Sequence, residues 1–432
     1  MRYDSFDLTD AGTIGNGISG ETLYRMGCCL ETGNGVEKNP AQAVNCYREA
    51  ADRGYMAAAL ALGRCYENGI GIQRDWRKAF SIYETLAEKN YGPGVYALAE
   101  CYAFCHGVRS DKVKANALYL RAAGLGCTDA MVALADSFRL GLGVEENANM
   151  AFGLYTAAAQ AGSVEGMYAL GQCYLEGEGT VKDPKQAVKW LELAAEQGNP
   201  CAMFLLGVCL AEGLGVAESM AAAEDWIRKA AAKDSRFGVV AKAIERCDRI
   251  WDDLCSEQVA QELMEWTEWS GTGKTLCRRL LACLYQHGWG VAKDGENAEK
   301  LLILAAEDGS VPAMRTLAEN RQYGFGVEKD LELARQWYER AVQQEDTTAM
   351  RLLAELYIQG INGEPEPDMA VCLYEAAAEQ GDAEAAYLLA GYYLAGSLPC
   401  DPENVREKVQ TLLLRAARLG HGDAAVRLTQ FF

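Results

Sequence analysis

One pattern recurs along the chain at a fixed spacing, and it leaves few folds open. A leucine followed by a small residue stands at Leu62-Gly63, Leu98-Ala99, Leu134-Ala135, Leu170-Gly171 and Leu206-Gly207, each pair 36 residues after the last. Met26-Gly27 lies one period earlier, and the pair returns at Leu281-Ala282, Leu317-Ala318, Leu353-Ala354 and Leu389-Ala390. A unit of this size cannot bury its own apolar face and has to lean on its neighbours, so the period marks a stacked solenoid.

The stretch from Met56 to Asn90 shows what one unit contains. Ala58, Leu62 and Tyr66 fall at spacing four and form one stripe of a first helix, helix A. Gly69-Ile70-Gly71-Ile72 ends it, because a glycine just past the last turn takes the left-handed conformation that closes a helix. Asp75 is placed to cap helix B, whose apolar stripe is Ala79, Tyr83, Leu86 and Ala87. The same start signal reads Asn39-Pro40, Asp183-Pro184 and Asp401-Pro402, with proline where no amide proton is missed. The expected fold is therefore all-α: an α/α superhelical solenoid of about ten helix-hairpin repeats plus one degenerate repeat.

The expected organisation follows the period. Residues 1–19 have no helical period and read as a tail, and six repeats fill 20–235. From Leu206-Gly207 to Leu281-Ala282 is 75 residues, two periods plus three, so 236–272 is a worn repeat or hinge whose two helical stripes lack the GxGV loop. Trp251, Trp266 and Trp269 concentrate there, next to a possible hinge at Ser270-Gly271-Thr272-Gly273. Four more repeats occupy 273–420, and 421–432 begins like another helix A and stops, a capping helix for the last face. Variation falls in the loops: Cys105-His106-Gly107-Val108 in the third repeat, an inserted Thr180 in the fifth, and Gly360 to Pro367 in the ninth.

Text such as YALGQCYLEGEGTVKDPKQAVKWLELAAEQG (Tyr168 to Gly198) and LAENRQYGFGVEKDLELARQWYERAV (Leu317 to Val342) resembles Sel1-like repeats, relatives of tetratricopeptide repeats with a longer inter-helix loop. The resemblance covers about nine tenths of the chain. It implies a superhelical adaptor scaffold that holds other proteins, with helix A lining the concave side.

Composition narrows the partner. Sixty-one acidic residues against 41 basic give a formal charge of −20, which disfavours nucleic acid and anionic membrane. No apolar run is long enough to span a bilayer, and the first residues lack the basic and apolar regions of a secretory signal, so a cytoplasmic location is expected. Among the 16 cysteines, Cys29, Cys65, Cys101, Cys173 and Cys209 share one repeat position. Cysteine-rich relatives pair the two helices of each repeat, but here Ala123, Ala159, Ala195 and Ala231 hold the helix B site. Thiols one helix layer apart, about 10 Å, are too distant to join, since a disulfide needs α-carbons within about 7 Å.

No constellation points to an enzyme, a cofactor or a metal. Gly273-Lys274-Thr275 resembles the end of a phosphate loop, yet Glu268 stands where its first glycine belongs and a helix precedes it. The three histidines, His106, His287 and His421, lie far apart in the repeat order. Cys101, Cys105 and His106 offer three zinc ligands without an evident fourth.

One positional series is more telling. Two residues before each leucine of the pair, helix A reads Tyr24, Leu60, Tyr96, Val132, Tyr168 and Phe204, then Arg279, Arg315, Arg351 and finally Tyr387. An aromatic and aliphatic strip thus gives way to an arginine strip, whose natural guest is an acidic or phosphorylated protein or peptide. Glu319 and Glu355 stand four residues after Arg315 and Arg351, so intrahelical pairing is the competing account. The adjacent series Met131, Met167, Met203, Met314 and Met350 suits either core filling or an adaptable surface. Tyr24, Tyr96, Tyr168, Phe204, Arg279, Arg315, Arg351 and Tyr387 are the candidate partner-binding residues. Two other roles stay open: an effector with a small-molecule pocket at the worn repeat, and a spacer that oligomerises through its last helix.

Overall fold

The computed structural model describes residues 18–248, 257–268, 273–361, 363–399 and 404–431, without the side chains of 246–248 and 431. Among the described residues every regular element is helical, 23 α-helices and a short 3-10 turn, and the chain is an all-α solenoid. None of the helices is long and apolar enough to cross a membrane. Trp251, Trp269, the Ser270 to Thr272 stretch and the Asp401-Pro402 signal lie outside the described residues.

Repeats follow one recipe. In the second, helix A runs Met56–Asn68 and closes on Gly69 at φ 72°. Asp75 then accepts from the Arg77 and Lys78 amides to start helix B, Trp76–Glu88. Asn39 and Asp183 cap Pro40–Asp52 and Pro184–Glu196 in the same way. Each cap satisfies an amide that the helix leaves without a partner, worth about 1 kcal/mol apiece.

The small residue of the recurring pair marks where helix B crosses helix A. A β-carbon on Gly63 would stand 2.3 Å from the Tyr83 ring, and one on Gly27 would stand 2.4 Å from Tyr47. In the fifth and sixth repeats Leu191 and Ile227 press on Gly171 and Gly207 instead. The buried tyrosine hydroxyls are not wasted: Tyr47 donates to Glu31 at 2.6 Å, Tyr83 to Glu67 at 2.7 Å, and Tyr155 to Asp136 at 2.5 Å. Burial of such a ring without its hydrogen bond would leave a costly orphan, so in these repeats the acid and the tyrosine come as a pair.

The cysteine position lies in this core. Cys65, Cys101, Cys173 and Cys209 are buried, Cys29 is half-buried, and all five are free thiols. Burial pushes the Cys65 thiol up to about 11 and those of Cys101, Cys173 and Cys209 up to about 12.

Two compact units divide the chain, the first ending at Ala202 and the second starting at Met203, within the helix Pro200–Glu212. In the first, the third repeat closes helix A, Gly92–Phe104, on Cys105 at φ 63°. A side chain there carries a left-handed penalty of about 1–2 kcal/mol that glycine avoids. Cys105→Gly is therefore expected to stabilise the first unit by about 0.5–1 kcal/mol, after the entropy that glycine gains on unfolding. A urea midpoint that falls instead would contradict this reading.

In the second unit, the worn repeat forms two shorter helices, Gly238–Asp248 and Glu257–Thr267, after a 3-10 turn at Ser235–Phe237. Regular pairs then resume with Lys274–His287 and Gly295–Glu307, Val311–Tyr323 and Leu331–Val342, Thr347–Gln359 and Pro367–Glu379, and Ala383–Ala395 and Val405–Arg418. Gly422–Phe431 packs on the last of these.

Candidate partner-binding face

The aromatic series does not behave alike along the chain. Tyr24, Tyr96 and Tyr168 are half-buried. Tyr24 lies 5.9 Å from Tyr47 and 5.4 Å from Tyr55, and Tyr96 lies 5.8 Å from Tyr119, ring centre to ring centre. Tyr24 and Tyr96 thus pack against neighbouring rings while part of each stays exposed. Tyr387 stacks on His421 at 4.1 Å, with the Arg427 guanidinium 5.3 Å above it.

Phe204 departs from the expectation. It is 1% exposed, stacked at 4.6 Å on Phe237 and 5.5 Å from Trp266, so the worn repeat closes over it. Its ring belongs to the core, because the next elements at that point are not a regular helix pair. The methionine series is also largely core: Met167, Met203, Met314 and Met350 are all buried.

The arginines carry partners supplied by the chain. Arg279 bonds Glu212 at 2.8 Å and the Ala211 carbonyl at 3.0 Å. The Glu212 side chain is 2% exposed and also accepts from Ser310, the N-cap of Val311–Tyr323. Arg315 pairs with Glu218 and lies 3.7 Å from Asp346, the N-cap of Thr347–Gln359. Arg351 lies 3.8 Å from Glu355 and 3.9 Å from Asp382, the N-cap of Ala383–Ala395. The intrahelical partner expected from sequence is therefore present for Arg351, whereas Arg315 reaches to other elements. Burial raises the Glu319 and Glu355 carboxyls above their usual range, and the neighbouring arginines pull them back.

Sequence reasoning missed Glu212, Glu218 and Ser310 because they lie 67 to 98 residues from their partners. Asp346 and Asp382 cap helices in the structure, and nothing local in the sequence marks them as arginine partners.

The remaining chemical candidates separate. Lys274 pairs with Asp308 at 3.0 Å. His106 stacks on Trp76, His287 on Trp289, and His421 lies 3.0 Å from Glu384. No group of three or more potential metal ligands gathers among the described residues.

A cavity of about 440 Å³ opens between the fourth and fifth repeats of the first unit. Its walls include Val132, Asp136, Arg139, Glu165, Tyr168 and Glu178. Val132 and Tyr168 are successive members of the helix A series, so this cavity is a segment of the candidate face.

The model of the Sel1 repeat matches ten stretches of the chain: 20–55, 57–91, 93–127, 128–163, 164–199, 202–235, 276–310, 311–346, 347–382 and 383–421. Among solved structures, the chain is 31% identical to a Sel1 repeat protein from Oxalobacter formigenes, over 52% of this chain and 93% of that one, with a TM-score of 0.49. It is 23% identical to a protective antigen of uropathogenic Escherichia coli strains that displays an SLR fold, over 96% and 87% of the two chains, with a TM-score of 0.49. Yeast Tom70 is similar at 14% identity over 95% and 94%, with a TM-score of 0.37. No curated protein matches the chain. With ten matched units covering most of its length and helix pairs in each, the chain belongs to the Sel1-repeat family.

Proposed function

We propose that this protein is a non-catalytic adaptor that holds a protein or peptide partner along the helix A faces of its repeats. The observation that carries the reading is the recurrence of half-buried aromatic edges at one repeat position, Tyr24, Tyr96 and Tyr168, beside the open cavity at Val132 and Tyr168. Rigid aromatic side chains give large contact area at small entropic cost, which suits a surface that binds extended segments. Tyr387 extends the set in the second unit. The free thiols fit a reducing compartment such as the cytoplasm.

A second guest, an acidic or phosphorylated segment at Arg279, Arg315 and Arg351, has one supporting observation. Arg315 and Arg351 each keep a buried Nε without a hydrogen-bond partner, so the pairing to Asp346 and Asp382 is incomplete. Such a guest would have to displace carboxylates already in place.

The test is photo-crosslinking in the native host, with benzoylphenylalanine replacing Tyr96 or Tyr168 on helix A and Leu120 or Leu193 on the exposed side of helix B. Discrete adducts are expected from the first two positions and not from the others. Equal yields from all four would remove the helix A face as the holding surface.

A further inference from the structure

The same repeat position carries a carboxylate in both units, but an arginine four residues before it is present in only one. Glu319 and Glu355 each have an arginine four residues earlier, Arg315 and Arg351. Glu100 and Asp136 occupy that position in the third and fourth repeats, and the residues four before them are Tyr96 and Val132. Helix A in the first unit therefore presents carboxylates beside aromatic and aliphatic side chains.

The cavity between the fourth and fifth repeats shows what this combination builds. Its lining includes four carboxylates, Asp136, Glu165, Glu176 and Glu178, and one arginine, Arg139. Val132, Ala169 and Tyr168 supply the apolar wall. Arg139 itself shows the chemistry that the cavity accepts: its Nε donates to the Tyr155 hydroxyl at 3.3 Å, and its Nη2 lies 3.7 Å from Asp136. Burial raises the Glu178 carboxyl, which Arg139 pulls down and Glu176 and Glu146 push up. The Glu100 carboxyl is likewise raised by burial and by Glu67, against hydrogen bonds from Tyr119 and Tyr96.

Resting on the adaptor reading, we propose that the first unit takes a basic segment of a partner protein, with a lysine or arginine side chain entering the cavity at Asp136 and Glu178 and its apolar neighbours lying against Val132 and Tyr168. A cationic head on an apolar stem matches both walls at once. The guest is the opposite in charge to the one that the arginine strip alone suggests, because that strip is matched by the chain's own carboxylates.

The probe is a fluorescein-labelled peptide, Gly-Lys-Leu-Lys-Ser-Lys-Leu-Gly, titrated with the full-length chain by anisotropy in about 0.1 M salt, where charges beyond about 10 Å are screened. Saturable binding is expected, weakened about tenfold by Asp136→Asn/Glu178→Gln, since charge-assisted hydrogen bonds are lost while shape is kept. Glu165→Gln, at an exposed rim position, should weaken it less. Circular dichroism of each variant establishes that the fold is retained. The same peptide with glutamate for lysine should not bind. A change below about twofold in the double variant overturns the proposal, as does equally tight binding of spermine, which would make the cavity a site for free polycations. If helix A crosslinks form but the double variant leaves them and the peptide affinity unchanged, this inference fails while the adaptor reading stands. If no helix A crosslink forms, the adaptor reading itself fails.

Discussion

Replacing Glu212 by alanine is expected to destabilise the second unit by about 3–5 kcal/mol, the cost of leaving a buried charge without its partner. Glu212 is almost fully enclosed, and its carboxylate holds Arg279 with one oxygen and Ser310 with the other. Arg279 keeps only the Ala211 carbonyl once the acid is gone. The variant Glu212→Gln/Arg279→Met removes both charges and leaves an amide oxygen for Ser310, so it should recover most of the loss, because an apolar replacement of a buried pair is often neutral. Hydrogen exchange over 203–359 with urea titration reads both effects. Equal destabilisation by the single and double variants would show that volume, not charge, governs this site.

The reason this contact matters is its span. In a stacked repeat each unit touches its neighbours and little else, so bonds are expected about one period apart. Here Glu212 reaches Ser310 across 98 residues and Arg315 reaches Glu218 across 97, passing over the worn repeat and the pair that follows it. Where the repeat is regular, shape complementarity between helices aligns the units. Where it is worn, Gly238–Asp248 and Glu257–Thr267 are shorter than the standard pair, and charged side chains add to the apolar contacts that Phe237 and Trp266 make with Phe204. Cys277 nearby is fully enclosed, and burial pushes its thiol up to about 12.

That division also explains what could be read from sequence. The helix pairs, their caps and the small residues at the crossings were legible because each depends on residues within one period: Gly63 needs Tyr83, and Asp75 needs Arg77 and Lys78. The fate of Phe204 was not, since whether its position stays open depends on Phe237 and Trp266 from the irregular stretch. The arginines were visible as a series, but their partners Glu218, Asp346 and Asp382 come from other elements. Charge excess in the first unit could have been noticed by asking which acids at the recurring position lack an arginine four residues before. Glu100 and Asp136 answer that question directly.

The second large effect is expected at the second glycine of the inter-helix loop. Gly71 sits at φ 67°, and a β-carbon there would stand 2.2 Å from the Pro40 carbonyl oxygen, at the start of the preceding repeat's helix B. Gly179 meets the Ala148 carbonyl oxygen at 2.1 Å in the same way. Gly35, at φ 75° in the first repeat, has nothing within 4 Å. The three positions therefore separate two costs that usually arrive together. Gly35→Ala should cost only the left-handed backbone penalty, about 1–2 kcal/mol. Gly71→Ala and Gly179→Ala should cost about 3–5 kcal/mol, because the repeats must also move apart against a rigid backbone atom. Asparagine, which tolerates the left-handed region, should rescue position 35 and leave positions 71 and 179 as damaged as alanine does. Equal losses at all three, read from urea midpoints of the first unit, would mean that the loop glycines serve the turn alone and not the seam between repeats.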